Sequence, residues 1–277
     1  MTDVRSATPR LGRTAALAAL VALAFALLVA AGPRADATRK AATTVTIASI
    51  RAASGPLLVH GETAVIRGAA SANLTGSRLV LQRKKDGRWI DTPTTAKVRA
   101  DRTYRMRFTV RGMGTTRYRV RFDGTATKAA SQRTTTATVW RWISLVPHRT
   151  GGNLVAGRAD LDGWHYPWAL RARGTDGGAA DGGTIALSRR CDRVTTVIGV
   201  DDASEPAFVA DFSMTLDGRE VLGGVRMGTG ASAVVSLKTA RVAELGLAAA
   251  YPAVTGTQRG WSVWARTQGL CKAYPAT

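Results

Sequence analysis

Cysteine and histidine are both scarce in this 277-residue chain: Cys191 and Cys271, and His60, His148 and His165. None of the histidines is spaced with cysteine, histidine or carboxylate as a metal site requires, so no metal and no other cofactor is expected. There is no G-x-S-x-G, no H-E-x-x-H and no glycine loop opening a helix to cradle phosphate, which removes the common hydrolase, metalloprotease and nucleotide-binding signatures. Acidic residues are few, 19 against 39 Lys and Arg. A glycosidase needs two carboxylates across one sugar bond. The available Asp201, Asp202, Glu205 and Asp211 read as turn caps and a wet strand face instead, and no enzyme is expected. Helix-favouring runs are rare beyond the first thirty positions, and no later apolar run is long enough to span a membrane.

What the chain does have is an export signal, strands and positive charge. Ala15–Ala31 is apolar and uncharged, Arg5, Arg10 and Arg13 precede it, and Ala35-Asp36-Ala37 follows with small residues at the cleavage positions. That order is a secretory signal peptide over residues 1–37, leaving a secreted chain with no membrane span after cleavage. Export permits a disulfide, and two cysteines allow one intramolecular pairing, Cys191 with Cys271. Their Cα atoms are expected about 4.4–6.8 Å apart.

Residues 38–140 read as a β-sandwich. Asp86-Gly87 marks a hairpin, since a type I′ turn needs positive φ. Tyr104, Met106, Phe108 and Val110 alternate with Arg105, Arg107 and Thr109. Tyr118, Val120 and Phe122 alternate with Arg117, Arg119 and Arg121. Such alternation buries one face and wets the other. Leu79–Arg83, Asp86–Trp89 and Thr116–Phe122 resemble bacterial immunoglobulin-like modules. This segment carries 20 basic and 5 acidic side chains, whereas residues 141–277 carry 15 and 12. Six of the seven tryptophans lie from Trp140 onward. The joint shift places a domain boundary near residue 140.

Residues 141–277 also alternate, through Phe208, Ala210, Phe212, Met214 and Leu216, and then turn at Asp217-Gly218. Gly174–Gly183 reads as an exposed loop. Thr195–Asp202 is similar to the strand and turn "vGvDD" of the carbohydrate-binding module attached to family 98 glycosyl hydrolases (NPCBM). Phe212–Leu222, Leu161–Pro167 and Val234–Leu247 resemble three further segments of that family in the same order. Members often place one cysteine before the vGvDD strand and one in the last strand, as Cys191 and Cys271 stand here. In place of the family's D-H-A-x-W-A-D-A ending this chain has Gly260–Thr267, which keeps Trp264 and Ala265 and lacks the acidic and histidine positions. The resemblance implies a galactose-binding-like jelly roll. The fold class is therefore all-β, two successive β-sandwiches.

Two binding surfaces are expected. An indole presents flat apolar area suited to the C–H face of a pyranose, although indoles also fill cores. Trp264 is expected in the core. Trp164, Tyr166, Trp168 and Trp261 are the candidate glycan contacts, for a cell-surface or wall glycan. Arg105, Arg107, Arg117, Arg119 and Arg121 are the candidate contacts for an anionic envelope polymer such as teichoic acid. No specific nucleic-acid partner is expected, because no nucleic-acid motif is present. The alternative is a structural or protein-interaction sandwich held to the anionic envelope by its basic half. The two readings part on whether Trp164, Trp168 and Trp261 share one exposed concave face.

Overall fold

The computed structural model describes residues 39–254 and 257–276; the expected signal peptide lies outside them. Strand is the dominant secondary structure of the described residues. In order these are β1 (Val45–Ala52), β2 (Leu58–Val59), β3 (Thr63–Ala70), β4 (Arg78–Lys85), β5 (Arg88–Lys97), β6 (Thr103–Thr109), β7 (Gly114–Phe122), β8 (Ser131–Ser144) and β9 (Arg149–Gly152). They continue as β10 (Val155–Leu161), β11 (Trp164–Thr175), β12 (Asp181–Ala186), β13 (Cys191–Val200), β14 (Val209–Leu216), β15 (Arg219–Gly228), β16 (Ser232–Lys238), β17 (Glu244–Ala250) and β18 (Arg259–Cys271). No helix among the described residues is long and apolar enough to cross a membrane.

The fold is two β-sandwiches in succession. In the first, the sheet β1-β3-β6 faces a sheet in which β5, β4, β7 and β8 are neighbours. The alternation forecasts the buried set: Tyr104, Met106, Phe108 and Val110 meet Tyr118, Val120 and Phe122 in one core, and the rings of Phe108 and Tyr118 lie 5.1 Å apart. Burial pushes the Tyr118 phenol up to about 12. Asp86 and Gly87 both have positive φ, 48° and 78°, and close the β4–β5 hairpin as expected.

In the second sandwich, β15-β14-β17-β12-β9 faces a sheet running β10-β11-β18-β13-β16. Its core gathers Phe208, Phe212, Met214, Leu247, Ile198 and Leu170 around Trp264, which is fully buried and meets Phe212 edge-on at 5.3 Å. Gly174–Gly183 is not the exposed loop expected. Gly174 lies inside β11, Gly182 and Gly183 follow Asp181 in β12, and only residues 176–180 connect the two strands. A Cβ on Gly174 would stand 2.3 Å from the Tyr251 ring, and one on Gly182 would stand 2.1 Å from the Leu247 carbonyl. These glycines admit a neighbour at close range, which glycine in a strand commonly signals.

Residue 140 lies inside β8. Ser131–Val139 pair with β7, whereas Arg141–Ser144 pair with Gln268–Cys271 of β18. One strand thus belongs to both sandwiches. The Cys191–Cys271 disulfide forms at this joint, tying the start of β13 to the end of β18. The Cα separation of 3.9 Å is shorter than the range expected. The two cysteines sit directly opposite each other on adjacent antiparallel strands, a placement that draws Cα atoms toward the short end of the range.

Candidate functional site

The second sandwich builds a groove on the outer side of its β10-β11-β18-β13-β16 sheet. Leu161 pairs with Trp164 across Asp162-Gly163, whose φ values of 51° and 74° fit the same turn type as Asp86-Gly87. The hairpin packs back on the sheet: Ala159 and Leu161 form a small apolar cluster with Ala169, Val263 and Ala265. Gly199 makes room, since a Cβ there would lie 3.2 Å from Leu161 and 2.7 Å from the Ala231 carbonyl.

The two aspartates after β13 hold this arrangement. The Asp202 carboxylate accepts hydrogen bonds from the Asp162 and Gly163 amides at 3.1 and 2.9 Å, and the Asp202 amide donates to the Asp160 carbonyl at 2.8 Å. Asp201 is buried, accepts from the Ala203 amide at 3.1 Å, and faces Arg171 at 3.5 Å. The Arg171 guanidinium in turn lies over the Trp261 ring, 4.2 Å from its centroid. Asp201 and Asp202 are turn and hairpin anchors, as their spacing suggests.

A second device shapes the groove from the other side. The register between β13 and β18 shifts between Thr195 and Val197, and Arg266 takes a φ of 47° there. Buried Thr196 and Thr267 share a hydrogen bond of 2.9 Å, and Thr196 also donates to the Ala265 carbonyl at 3.1 Å. A bulge of this kind re-aims a side chain, and Arg266 lines the groove.

The resulting groove has a volume of about 650 Å³. Trp164, Tyr166 and Trp168 line one part, Val234 another, and Asp162, His165, Arg266 and Gln268 supply polar edges. Trp164 and Trp168 are 71% and 70% exposed, so neither is a core residue. His165 is held by Asp160 at 2.7 Å. Trp261 stands apart: it is half-buried under Arg171, packs on the small cluster, and does not line the groove. Trp164 and Trp168 thus share the groove, and Trp261 lies outside its lining in the cluster that also holds Tyr166 and Val197.

The sequence matches no protein-family model and no curated protein. Solved structures with some likeness include the CBM51-2 and INT domains of Clostridium perfringens ZmpB, alone (14% identity, TM-score 0.39) and in complex with GlcNAc (11%, TM-score 0.37). The alignments cover 60% and 57% of this chain and 39% and 38% of those chains, so this chain spans about two fifths of their length. CBM51 from C. perfringens GH95 in complex with methyl-galactose is similar at 14% identity and TM-score 0.37, over 46% of this chain and 99% of that one. The immunoglobulin-like and family 98 resemblances find no matching family model.

The arginines of the first sandwich divide between its two sheets. Arg105 and Arg107 lie on β6 in the three-stranded sheet, and Arg117, Arg119 and Arg121 lie on β7 in the other. Arg117 is exposed. Arg119 donates to Gln82 at 2.6 Å and stacks over Trp89 at 4.3 Å, and burial lowers its pKa. Arg121 is ion-paired with Asp123 at 2.7 Å and faces Asp91 at 3.8 Å. Two of the three β7 arginines are thus already engaged. Alternation marked all of these as outward-facing, but it does not tell which outward side chains find partners. Among the described residues no group of three or more His, Cys, Asp or Glu gathers as a metal site would.

Proposed function

We propose that this is a non-catalytic, extracytoplasmic glycan-binding protein whose C-terminal groove takes a sugar on Trp164 and Trp168. One observation carries the reading: two indoles left about 70% exposed at the edge of a groove that also presents polar side chains. Large exposed aromatics are unusual on a folded surface unless something covers them. A pyranose would lay its C–H face on an indole while its hydroxyls meet Gln268, Asp162 and His165. The disulfide supports a location outside the cytoplasm. In this reading the basic first sandwich adds contact with an anionic envelope polymer, and the galactose-binding-like fold assignment of the second sandwich is retained as part of the proposal.

A glycan array followed by calorimetry on the full chain tests the sugar site. Trp164→Ala and Trp168→Ala should each weaken binding of the best glycan tenfold or more, with little change in melting temperature because both side chains are exposed. Binding unchanged in both variants would remove the groove from the mechanism. The alternative, a protein-docking face, is favoured by Val234, which is 77% exposed beside the indoles. An array without hits, combined with a protein partner whose binding is lost in Trp168→Ala, would support it.

A further inference from the structure

We propose that the outer face of the β1-β3-β6 sheet is a built binding surface for a phosphodiester polymer of the cell envelope, gripped by Arg51, Arg67, Arg105 and Arg107. The proposal deepens the envelope-polymer part of the reading above and rests on it.

Strand register sets the geometry. Arg51, Val65 and Arg107 form one row across the three strands, and Ser49, Arg67 and Arg105 form the next. Neighbouring strands are about 4.8 Å apart and alternate residues about 6.7 Å apart. Four guanidinium groups therefore stand on a grid with spacings of roughly 5–10 Å. All four are exposed, and together they line a recess of about 650 Å³. Among the described residues none of the four is ion-paired, in contrast to Arg121 on the opposite sheet.

Arg67 and Arg105 are direct cross-strand partners. Like charges in that position destabilise a sheet. A row of phosphates would relieve the repulsion, and the planar guanidinium matches a phosphate with two parallel N–H donors. The spacing along β6 suits successive phosphates of a short-repeat polyol chain rather than one isolated ion. None of the large exposed hydrophobic side chains among the described residues lies on β1, β3 or β6. The face thus offers nothing to insert into a bilayer and no aromatic on which a nucleic-acid base could stack. A flexible polymer of alternating polyol and phosphate fits both the charge grid and the lack of apolar anchors.

The test uses the full, disulfide-bonded chain against synthetic poly(glycerol phosphate), with phosphatidylglycerol vesicles and an oligothymidylate as competing probes. Arg67→Gln/Arg105→Gln is compared with Arg88→Gln/Arg133→Gln, which removes the same charge from exposed positions on the other sheet. The first double variant should weaken polymer binding at least tenfold and reduce the log–log salt slope by about 1.4, two contacts' worth. The second should stay within about twofold. Arg67→Lys/Arg105→Lys, which keeps charge and loses the planar fork, should fall between. Equal losses in both Gln doubles would show that net charge alone binds and would overturn the arginine grid. Tighter binding to vesicles or oligothymidylate would overturn the choice of polymer. No polyanion binding by the unaltered chain would instead sink the envelope-polymer reading itself.

Discussion

Gly68 is a residue whose identity follows from two close neighbours. A Cβ there would lie 2.0 Å from the Thr46 carbonyl and 2.4 Å from the Tyr104 hydroxyl, which itself donates to Thr46 at 2.6 Å. Gly68→Ala should therefore cost about 1–3 kcal/mol by overpacking, measurable by urea denaturation. His148 is a second case. It is buried against Tyr274, its Nδ1 has no hydrogen-bond partner among the described residues, and burial lowers its pKa below 6.5. The unfolded chain then takes up the proton first as pH falls. The contribution of neutral His148 is whole above pH 6.5 and is lost as pH drops from there through the lower folded value. Melting temperature across that window should fall in the unaltered chain and fall less in His148→Phe. Neither residue was legible in the sequence, because each depends on residues distant in the chain that the fold brings beside it, Thr46 and Tyr104 for Gly68 and Tyr274 for His148.

At the scale of elements, alternation was the readable signal. It separated Tyr104, Met106 and Phe108 from Arg105 and Arg107, and Asp-Gly pairs marked hairpins at Asp86 and Asp217. Asp162-Gly163 carries the same Asp-Gly signal, whereas the bulge at Arg266 carries none, and both shape the groove. The vGvDD likeness located Asp202, but its work is to accept the amides of Asp162 and Gly163. Asp202→Ala should lose stability by about 1.5–3 kcal/mol, as hydrogen bonds to a charged group do. It should also weaken glycan binding although the side chain is outside the groove lining, and Asp202→Asn should restore part of both. Breaking the disulfide acts on other elements. It closes a separation of 80 residues, so Cys191→Ala/Cys271→Ala should lose up to about 4 kcal/mol in chemical denaturation, most of it through the unfolded chain.

At the scale of the whole molecule, charge and tryptophan content put a boundary near residue 140, and composition could not reveal that this position sits in the middle of a strand. β8 contributes Val139 to the first core and Ile143 to the second. Unfolding should accordingly be one cooperative transition by calorimetry, and a flexible Gly-Ser insertion after Trp140 should split it in two. The same strand bears on how weak contacts add. Ser144, near its end, lines the tryptophan groove, while its beginning belongs to the sandwich that carries the arginine face. If the shared strand holds the groove and the arginine face at a set spacing, a polymer or wall fragment that engages one either meets the other at high effective concentration or cannot reach it at all. The avidity of this protein would then depend on the spacing of sugar and phosphate in its target, much as calipers accept only one width.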